Sequence, residues 1–235
     1  MKQSQIIETV ISGFQPNELI LASTLFNTKL EGTICEATYY KTLERMSKAG
    51  KLNKAAKGVY YLPKNSRFGP VPLSEQEIIL AFTKENSGTV VGYSLYNQLG
   101  LTTQISKITK VLSSSLETQT KTIQNVTIIY SPLWFSHEVE QMVHTLDVLQ
   151  NLGQIQDLNQ HALISYCEIM AESYDQSVFD EVITRQKYSK STIAFLQSIL
   201  NYYDKANGLS KYLSSLSTYK FPRIENLNVS KQFLS

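Results

Sequence analysis

Positively charged side chains recur every three or four residues between positions 41 and 57 of this 235-residue chain. Lys41, Arg45 and Lys48 have the spacing that places side chains on one face of a helix. The series continues with Lys51, Lys54 and Lys57, and Glu44 is the one carboxylate within it. A row of cations suits phosphate groups, although regularly spaced lysines are also common on a solvated helix face.

The distribution of charge over the whole chain favours the phosphate interpretation. The formal net charge is only +2. Residues 1–70 carry ten Lys and Arg against five Asp and Glu, whereas residues 131–235 carry eight against eleven. A basic segment joined to a mildly acidic one is the asymmetry expected when one module contacts nucleic acid.

The elements that must position these cations follow from capping and periodicity. Thr33 and Glu36 have the spacing of a capping box, so we expect a helix over residues 34–48. Gly50 suits the left-handed residue that closes such a helix. An apolar face on this helix is formed by Tyr39, Leu43 and Met46. The cations therefore lie on a different face from the side chains that would be buried.

Two helices precede this one and a hairpin follows it. Residues 2–12 have helical apolar spacing and end at Gly13, and Pro16 suits the first turn of a second helix. Residues 51–54 and 58–62 are typical of two short strands joined by a tight turn. Three helices and a basic hairpin, in this order, predict a winged helix-turn-helix over residues 1–68.

The remaining residues, 69–235, are predicted to form a second domain. Residues 63–72 are polar and rich in Pro and Gly, as in a linker. Ser74 and Glu77 form a second capping box, and strand and helix patterns alternate to about residue 132. Residues 133–235 have apolar residues at helical spacing. The predicted class is therefore a helix-rich α+β protein.

The sequence offers little for catalysis or metal binding. Two cysteines, Cys35 and Cys167, cannot form a disulfide framework. Cys35 lies in a first helical turn, where it could be a reactive thiol or a small buried hydrophobic residue, and the second role is favoured. His137, Glu140 and His144 lack the spacing of a helical zinc motif. Tyr93, Tyr96 and Asn97 have no partner base. We expect no enzyme activity, no cofactor and no metal.

Targeting signals are also lacking. The first residues have no apolar core typical of a signal peptide, and no apolar run approaches the roughly 18 residues of a membrane span. We therefore expect a soluble cytoplasmic protein without a membrane partner.

Several longer segments resemble one known family. They are TYYKTLERMSKAGKL, KGVYYLPK, RFGPVPLSEQEII, VVGYSLYNQLGLTTQ and SLSTYKFPRIENLNV. Together they resemble the AbiEi-type family of bacterial antitoxins and transcriptional regulators. The resemblance implies a winged helix that represses its own operon at an operator, which we expect to contain inverted repeats. It also implies a carboxy-terminal domain that neutralises a nucleotidyltransferase-like toxin, with or without a stable complex.

We therefore expect double-stranded DNA as one partner. Thr38, Tyr40, Lys41 and Arg45 would lie nearest the bases or phosphates, with Lys48 and Lys51 at the end of the same surface. Lys54 and Lys57, on the wing, would hold adjacent phosphates. Tyr40 could stack on a sugar or lie flat on the protein surface. The alternative is a winged helix that serves as a protein–protein adaptor and does not bind specific DNA.

Overall fold

The computed structural model describes residues 2–222. The chain is a mixed α+β protein, about 49% helical and 16% strand, with helices at both ends of the described range. The helix-rich α+β class is confirmed in this coarse form. Within the same range, every helix is too short or too polar to cross a bilayer.

The amino-terminal part combines helices with a small antiparallel sheet. Its elements are α1 (Gln3–Ser12), β1 (Leu19–Leu21), α2 (Ala22–Leu25) with a π turn (Phe26–Leu30), α3 (Glu36–Lys48), β2 (Asn53–Ala56) and β3 (Val59–Tyr61). The sheet order is β1–β3–β2, so the first strand pairs with the last. Ile20 lies opposite Tyr60 and Lys54 lies on the other side of Tyr60.

The predicted second helix is wrong over its first half, although residues 22–26 are helical. Pro16 does not begin a helix but bridges to Leu62, and Asn17 has a left-handed backbone with φ of 63°. The Asn17 N–H donates to the Leu62 carbonyl at 2.9 Å. The chain therefore enters β1 before a short helical segment begins. An apolar run of this length suits a buried strand as well as a helix, and periodicity cannot distinguish the two.

The predicted linker is also wrong, because residues 63–72 form a hairpin. Its strands are β4 (Lys64–Ser66) and β5 (Gly69–Val71). Pro70 lies opposite Asn65 in this two-stranded pair. Proline is compatible with such an edge position because it has no N–H to donate.

The middle part is a four-stranded sheet with two helices. Its elements are α4 (Glu75–Thr83), β6 (Gly88–Val91), α5 (Tyr93–Gln98), β7 (Thr109–Ser113), β8 (Thr120–Ile123) and β9 (Val126–Tyr130). The order is β6–β7–β9–β8, with β7 and β9 parallel. The Ser74–Glu77 capping box is confirmed, since Ser74 Oγ accepts the Glu77 N–H at 3.2 Å. The sequence prediction missed β8, whose polar residues occupy an edge.

The carboxy-terminal part is helical, as predicted. Its helices are α6 (His137–Asn151), α7 (Gln160–Glu172), α8 (Gln176–Arg185) and α9 (Lys190–Tyr202). Each begins at a side chain that accepts a backbone N–H: Ser136, Asn159, Asp175 and Ser189. The motif SLSTYKFPRIENLNV runs past Pro222, and its end lies outside the described residues.

Buried side chains form three clusters, and the second of these joins the amino-terminal and middle parts. The first contains α1 and α3, and the third contains α5 and the carboxy-terminal helices. In the second, Leu19 and Val59 of the small sheet pack with Phe82, Val111 and Ile128. The division into domains at residue 68 stays a prediction, but apolar contacts cross that position.

Candidate nucleic-acid interface

The cations of interest are carried by α3, whose start differs from the prediction. The helix begins at Glu36 with Cys35 as the N-cap, and Thr33 makes no capping contact. Thr33 instead belongs to the preceding turn, where its N–H donates to the Leu30 carbonyl at 3.1 Å. The Thr33–Glu36 capping box is therefore wrong.

Cys35 is exposed, so the prediction of a small buried hydrophobe at this position is wrong. Its side chain makes no capping hydrogen bond at the start of α3. The backbone N–H groups of Thr38 and Ala37 nevertheless point toward the sulfur, and they lower the pKa of the Cys35 thiol. This is the expected effect of a helix N-terminus on a thiol.

The far end of α3 follows the prediction. Gly50 is left-handed, with φ of 69°. The Lys51 N–H donates to the Met46 carbonyl and the Gly50 N–H to the Ser47 carbonyl, at 3.0 and 3.1 Å. This pair of bonds is the Schellman arrangement, which closes a helix at a left-handed residue.

The rotation of α3 about its axis is determined by its buried face. Tyr39 and Leu43 are fully buried and Met46 is nearly so. The Tyr39 hydroxyl donates to the Ala22 carbonyl at 2.9 Å, which joins α3 to α2. With these side chains inside, Lys41, Arg45 and Lys48 are directed to the solvent.

Two of these three cations have carboxylate partners. Arg45 Nη2 lies 2.9 Å from Glu8 Oε1 of α1, and Lys48 Nζ lies 2.8 Å from Glu44 Oε1. The side chains of Arg45 and Lys48 are 61% and 76% exposed. Exposed ion pairs contribute only about 0–1 kcal/mol, so a phosphate could replace either carboxylate at small cost. Lys41 makes no ion pair with any residue in the range 2–222.

A depression of about 450 Å³ runs along this exposed side of α3. It is lined by Ser4, Thr38, Lys41, Thr42, Glu44, Arg45 and Lys48. Four of the eight predicted contact residues therefore share one concave surface. Ser4 of α1 forms part of the wall, and it was not predicted because its position depends on the packing of α1 against α3.

Glu44 lies among the cations and was also not predicted as part of the site. The hydrogen bond and charge of Lys48 are the main causes that lower the pKa of Glu44, followed by the charges of Lys54 and Lys41. Lys54 of β2 is thus close to the same surface. A carboxylate in this position reduces the net charge but can accept a hydrogen bond.

Tyr40 lies on another side of α3. Its ring meets Tyr39 edge-on, with centroids 5.2 Å apart, and its side chain is 36% exposed. Burial is the main cause that raises the pKa of Tyr40, followed by the charges of Glu117 and Glu36. Tyr40 therefore faces the middle part of the chain and does not line the depression.

The turn between β2 and β3 is attached to the middle sheet. The carbonyl of Lys57 accepts a hydrogen bond from Lys121 Nζ of β8 at 2.9 Å. Burial is the main cause that lowers the pKa of Lys121, and the charge of Lys57 adds to it. Two amino groups are thus close together at this turn. Lys51 lies elsewhere, in a depression of about 440 Å³ with Leu62 and residues of α1.

A second polar cluster lies between β6 and α6. Thr89 Oγ1 is 2.5 Å from Glu140 Oε1 and 2.7 Å from His144 Nε2. Burial lowers the pKa of His144, and this effect outweighs the charges of Glu140 and Asp147 and a hydrogen bond to the Val90 backbone. Thr89 is only 2% exposed, so the contacts join β6 to α6.

His137 is not part of this cluster, since it pairs with Gln141 on the exposed side of α6. Across the described residues, no three His, Cys, Asp or Glu side chains lie together in a way that could hold a metal ion.

The structure thus brings together Thr38, Lys41, Arg45 and Lys48, with Lys54 nearby. It places Tyr40, Lys51 and Lys57 at the borders of this surface or beyond it. The partners Glu8 and Lys121 come from distant parts of the chain, and no local sequence signal identifies them. A scan against protein-family models finds no match to the chain, and a search of curated proteins finds no relative.

Proposed function

We propose that the chain is a DNA-binding transcriptional regulator that acts as the antitoxin of a bacterial toxin–antitoxin system. The observation that carries the DNA-binding part is the concave, solvent-facing side of α3, where three cations surround one depression. The depression is about 450 Å³ in volume and belongs to a helix whose opposite side is fully buried. A rigid helix with such a face suits the major groove of duplex DNA.

The order of elements supports a winged helix-turn-helix. The chain runs α1, β1, α2, α3, β2, β3, and in the sheet order β1–β3–β2 the hairpin pairs with β1. In this interpretation α3 is the recognition helix and the β2–β3 hairpin is the wing. Lys54 and Lys57 of the wing would contact phosphates and determine the register without reading bases.

Contacts in the groove follow from side-chain chemistry. Arg45 can bind guanine or a phosphate with two parallel hydrogen bonds, and Lys41 and Lys48 act as point charges for phosphate. On binding, Arg45 must leave Glu8 and Lys48 must leave Glu44, and each then contacts a group on the DNA. A Glu44 carboxylate released in this way can accept a hydrogen bond from the amino group of cytosine.

The antitoxin part of the proposal depends on the resemblance of the sequence to the AbiEi-type family. That resemblance assigns neutralisation of a nucleotidyltransferase-like toxin to the residues after 68. It also leads us to expect repression at an operator with inverted repeats, to which two copies of the chain would bind. The proposal includes no catalytic step.

A binding selection tests the DNA-binding part. The full chain is incubated with a pool of random duplexes, and bound sequences are recovered and measured at several salt concentrations. We expect log affinity to fall with log salt at a slope of about −4 to −5, as for four to six phosphate contacts. Lys41→Glu/Arg45→Glu should abolish binding, because both changes place negative charge against phosphate.

The matched control is Lys187→Glu/Lys190→Glu, which makes the same charge change at exposed positions in the α8–α9 connection and at the start of α9. The control should bind DNA like the unchanged protein. If the unchanged protein recovers no duplex, or if its affinity does not depend on salt, the DNA-binding proposal is wrong.

One observation favours the adaptor alternative. Glu8 and Glu44 already neutralise two of the three cations on α3, so the surface could bind a protein with mixed charges. The same measurement distinguishes the two functions. An adaptor would show no preference among duplexes and would bind them weakly at moderate salt.

A further inference from the structure

The tip of the β4–β5 hairpin presents an aromatic ring and a guanidinium group to the solvent. Phe68 is 86% exposed. The Arg67 guanidinium carbon lies 4.7 Å from the centroid of the Phe68 ring. Arginine and aromatic side chains are common at the centres of binding surfaces, where a guanidinium group stacked on a ring contributes favourably.

The tip is held in a defined shape. Ser66 Oγ donates to the Gly69 carbonyl at 3.0 Å and accepts the Phe68 N–H at 3.2 Å. Gly69 has φ of 111°, a backbone conformation that side chains rarely adopt. The two exposed side chains therefore project from a pinned turn.

The hairpin is cationic. Residues 63–74 contain Lys64 and Arg67 and no Asp or Glu. Lys64 is near Glu77. Burial alone would raise the pKa of Glu77, but hydrogen bonds from Ser74 and Asn17 and the charge of Lys64 together lower it. Arg67 makes no ion pair with any described residue. Its guanidinium group is therefore available to a partner.

The second hairpin begins near the end of α3. Lys51, which follows α3, shares a depression with Leu62, two residues before β4. Glu8, the carboxylate partner of Arg45, lines the same depression. The start of the second hairpin is therefore close to the cationic face of α3.

We propose that the β4–β5 tip is a second DNA contact, in which Arg67 enters the minor groove beside the major groove occupied by α3 and Phe68 packs against the sugars and base edges there. This inference rests on the proposed DNA-binding function. The minor groove concentrates negative potential that attracts arginine, and apolar side chains at its floor are a known means of contact.

The test uses a duplex that the unchanged full-length protein selects from a random pool. Affinity is measured by fluorescence anisotropy over a salt series, and contacts with sugars are mapped by hydroxyl-radical footprinting. We expect Phe68→Ala to weaken binding about tenfold, as for loss of one stacked or wedged contact. We expect Arg67→Gln to reduce the magnitude of the salt slope by about 0.9, as for one phosphate contact. Each variant should lose protection in the minor groove beside each bound α3 and keep protection at the major-groove contact of α3.

Matched controls exclude general effects. Leu216→Ala removes a side chain that is 97% exposed, and Lys187→Gln removes an exposed charge elsewhere. Both should behave like the unchanged protein. Thermal melting should be the same for all four variants, because the altered side chains are exposed.

The outcomes separate the two proposals. If the protein binds DNA and Lys41→Glu/Arg45→Glu abolishes binding, but Phe68→Ala and Arg67→Gln match their controls, the hairpin is not a DNA contact. That result leaves the proposed function intact. If the unchanged protein selects no duplex, both proposals are overturned.

Discussion

At the residue scale, single side chains determine how the cationic helix is presented. Tyr39 is buried and its hydroxyl donates to the Ala22 carbonyl, so rotation of α3 would leave that hydroxyl without its acceptor. An unsatisfied buried hydroxyl costs about 1–3 kcal/mol. Two residues away, Lys41 is exposed and without a carboxylate partner among residues 2–222. A buried hydroxyl therefore controls the direction of an exposed charge.

Capping provides a prediction at this scale. Ser74→Ala should lower the free energy of unfolding by about 1 kcal/mol, because Ser74 Oγ accepts the Glu77 N–H at the start of α4. Thr33→Ala removes a hydroxyl three residues before Glu36, the same spacing as Ser74 and Glu77. It should change the free energy of unfolding by less than about 0.5 kcal/mol. Urea denaturation of both variants measures the difference. Equal losses would mean that Thr33 caps α3 after all.

The His144 contacts provide a second prediction. Because burial lowers the pKa of His144 below its ordinary value of 6.5, the unfolded chain binds a proton more readily than the folded chain. The resulting stability is present above pH 6.5 and is lost as the pH falls toward the folded-state pKa. The slope is at most about 1.4 kcal/mol per pH unit.

Denaturation of His144→Gln beside the unchanged protein between pH 7.5 and 5 measures this contribution. The variant should show a weaker dependence on pH, since the other titrating groups are the same in both proteins. Parallel curves would contradict the assignment of the slope to His144.

At the scale of elements, the sequence predicts those that depend on local signals. The helices α1, α3 and α6 to α9 have clear periodicity, and α4 also has its capping box. The strands β1, β4, β5 and β8 were missed. β4, β5 and β8 belong to local hairpins, but their short sequences lack the apolar alternation of a strand. The pairing of β1 depends on residues far along the chain. Leu19–Leu21 becomes a strand because Val59–Tyr61 lies beside it. The candidate site shows the same dependence on distant residues. The cations of α3 were predicted from local spacing, but Glu8 and Lys121 come from other parts of the chain and were not.

The strand β6 carries the prediction that belongs to this scale. A Cβ atom at Gly88 would lie 2.2 Å from the Phe82 carbonyl oxygen and 2.3 Å from that of Leu112. Both atoms belong to the backbone and cannot move aside easily. Gly88→Ala should therefore destabilise the protein by about 3 kcal/mol or more.

Gly153→Ala is the matched control, because nothing lies within 4 Å of its Cβ position and its φ is not positive. It should leave stability within about 1 kcal/mol of the unchanged value. Thermal and urea denaturation of the two variants are compared directly. A mild effect at Gly88 would mean that β6 can shift away from α4.

At the scale of the whole molecule, the small sheet is packed against the middle part of the chain. Leu19 and Val59 share a core with Val111 and Ile128, and Lys121 holds the Lys57 carbonyl. The proposed wing is therefore supported by residues far along the chain. We nevertheless expect DNA binding and toxin neutralisation to be separable, because the cationic face of α3 points away from these contacts.

The corresponding prediction concerns toxin neutralisation. Lys41→Glu/Arg45→Glu should abolish repression of the operon and still protect cells from the cognate toxin when expressed from an independent promoter. Growth after toxin induction is measured beside a reporter of repression, with Lys187→Glu/Lys190→Glu as the charge-matched control that keeps repression. Loss of protection together with repression, in a protein that remains folded, would mean that the two functions share one surface.

The shared core has a consequence for how the protein is made. Because Leu19 and Val59 pack on residues as late as Ile128, their apolar faces stay uncovered until more than half of the chain has left the ribosome. At about 5–20 residues per second, that interval lasts several seconds. A nascent chain stalled within it would expose a β-sheet face without its partner, so rare codons before position 128 should promote aggregation more than the same codons placed after it.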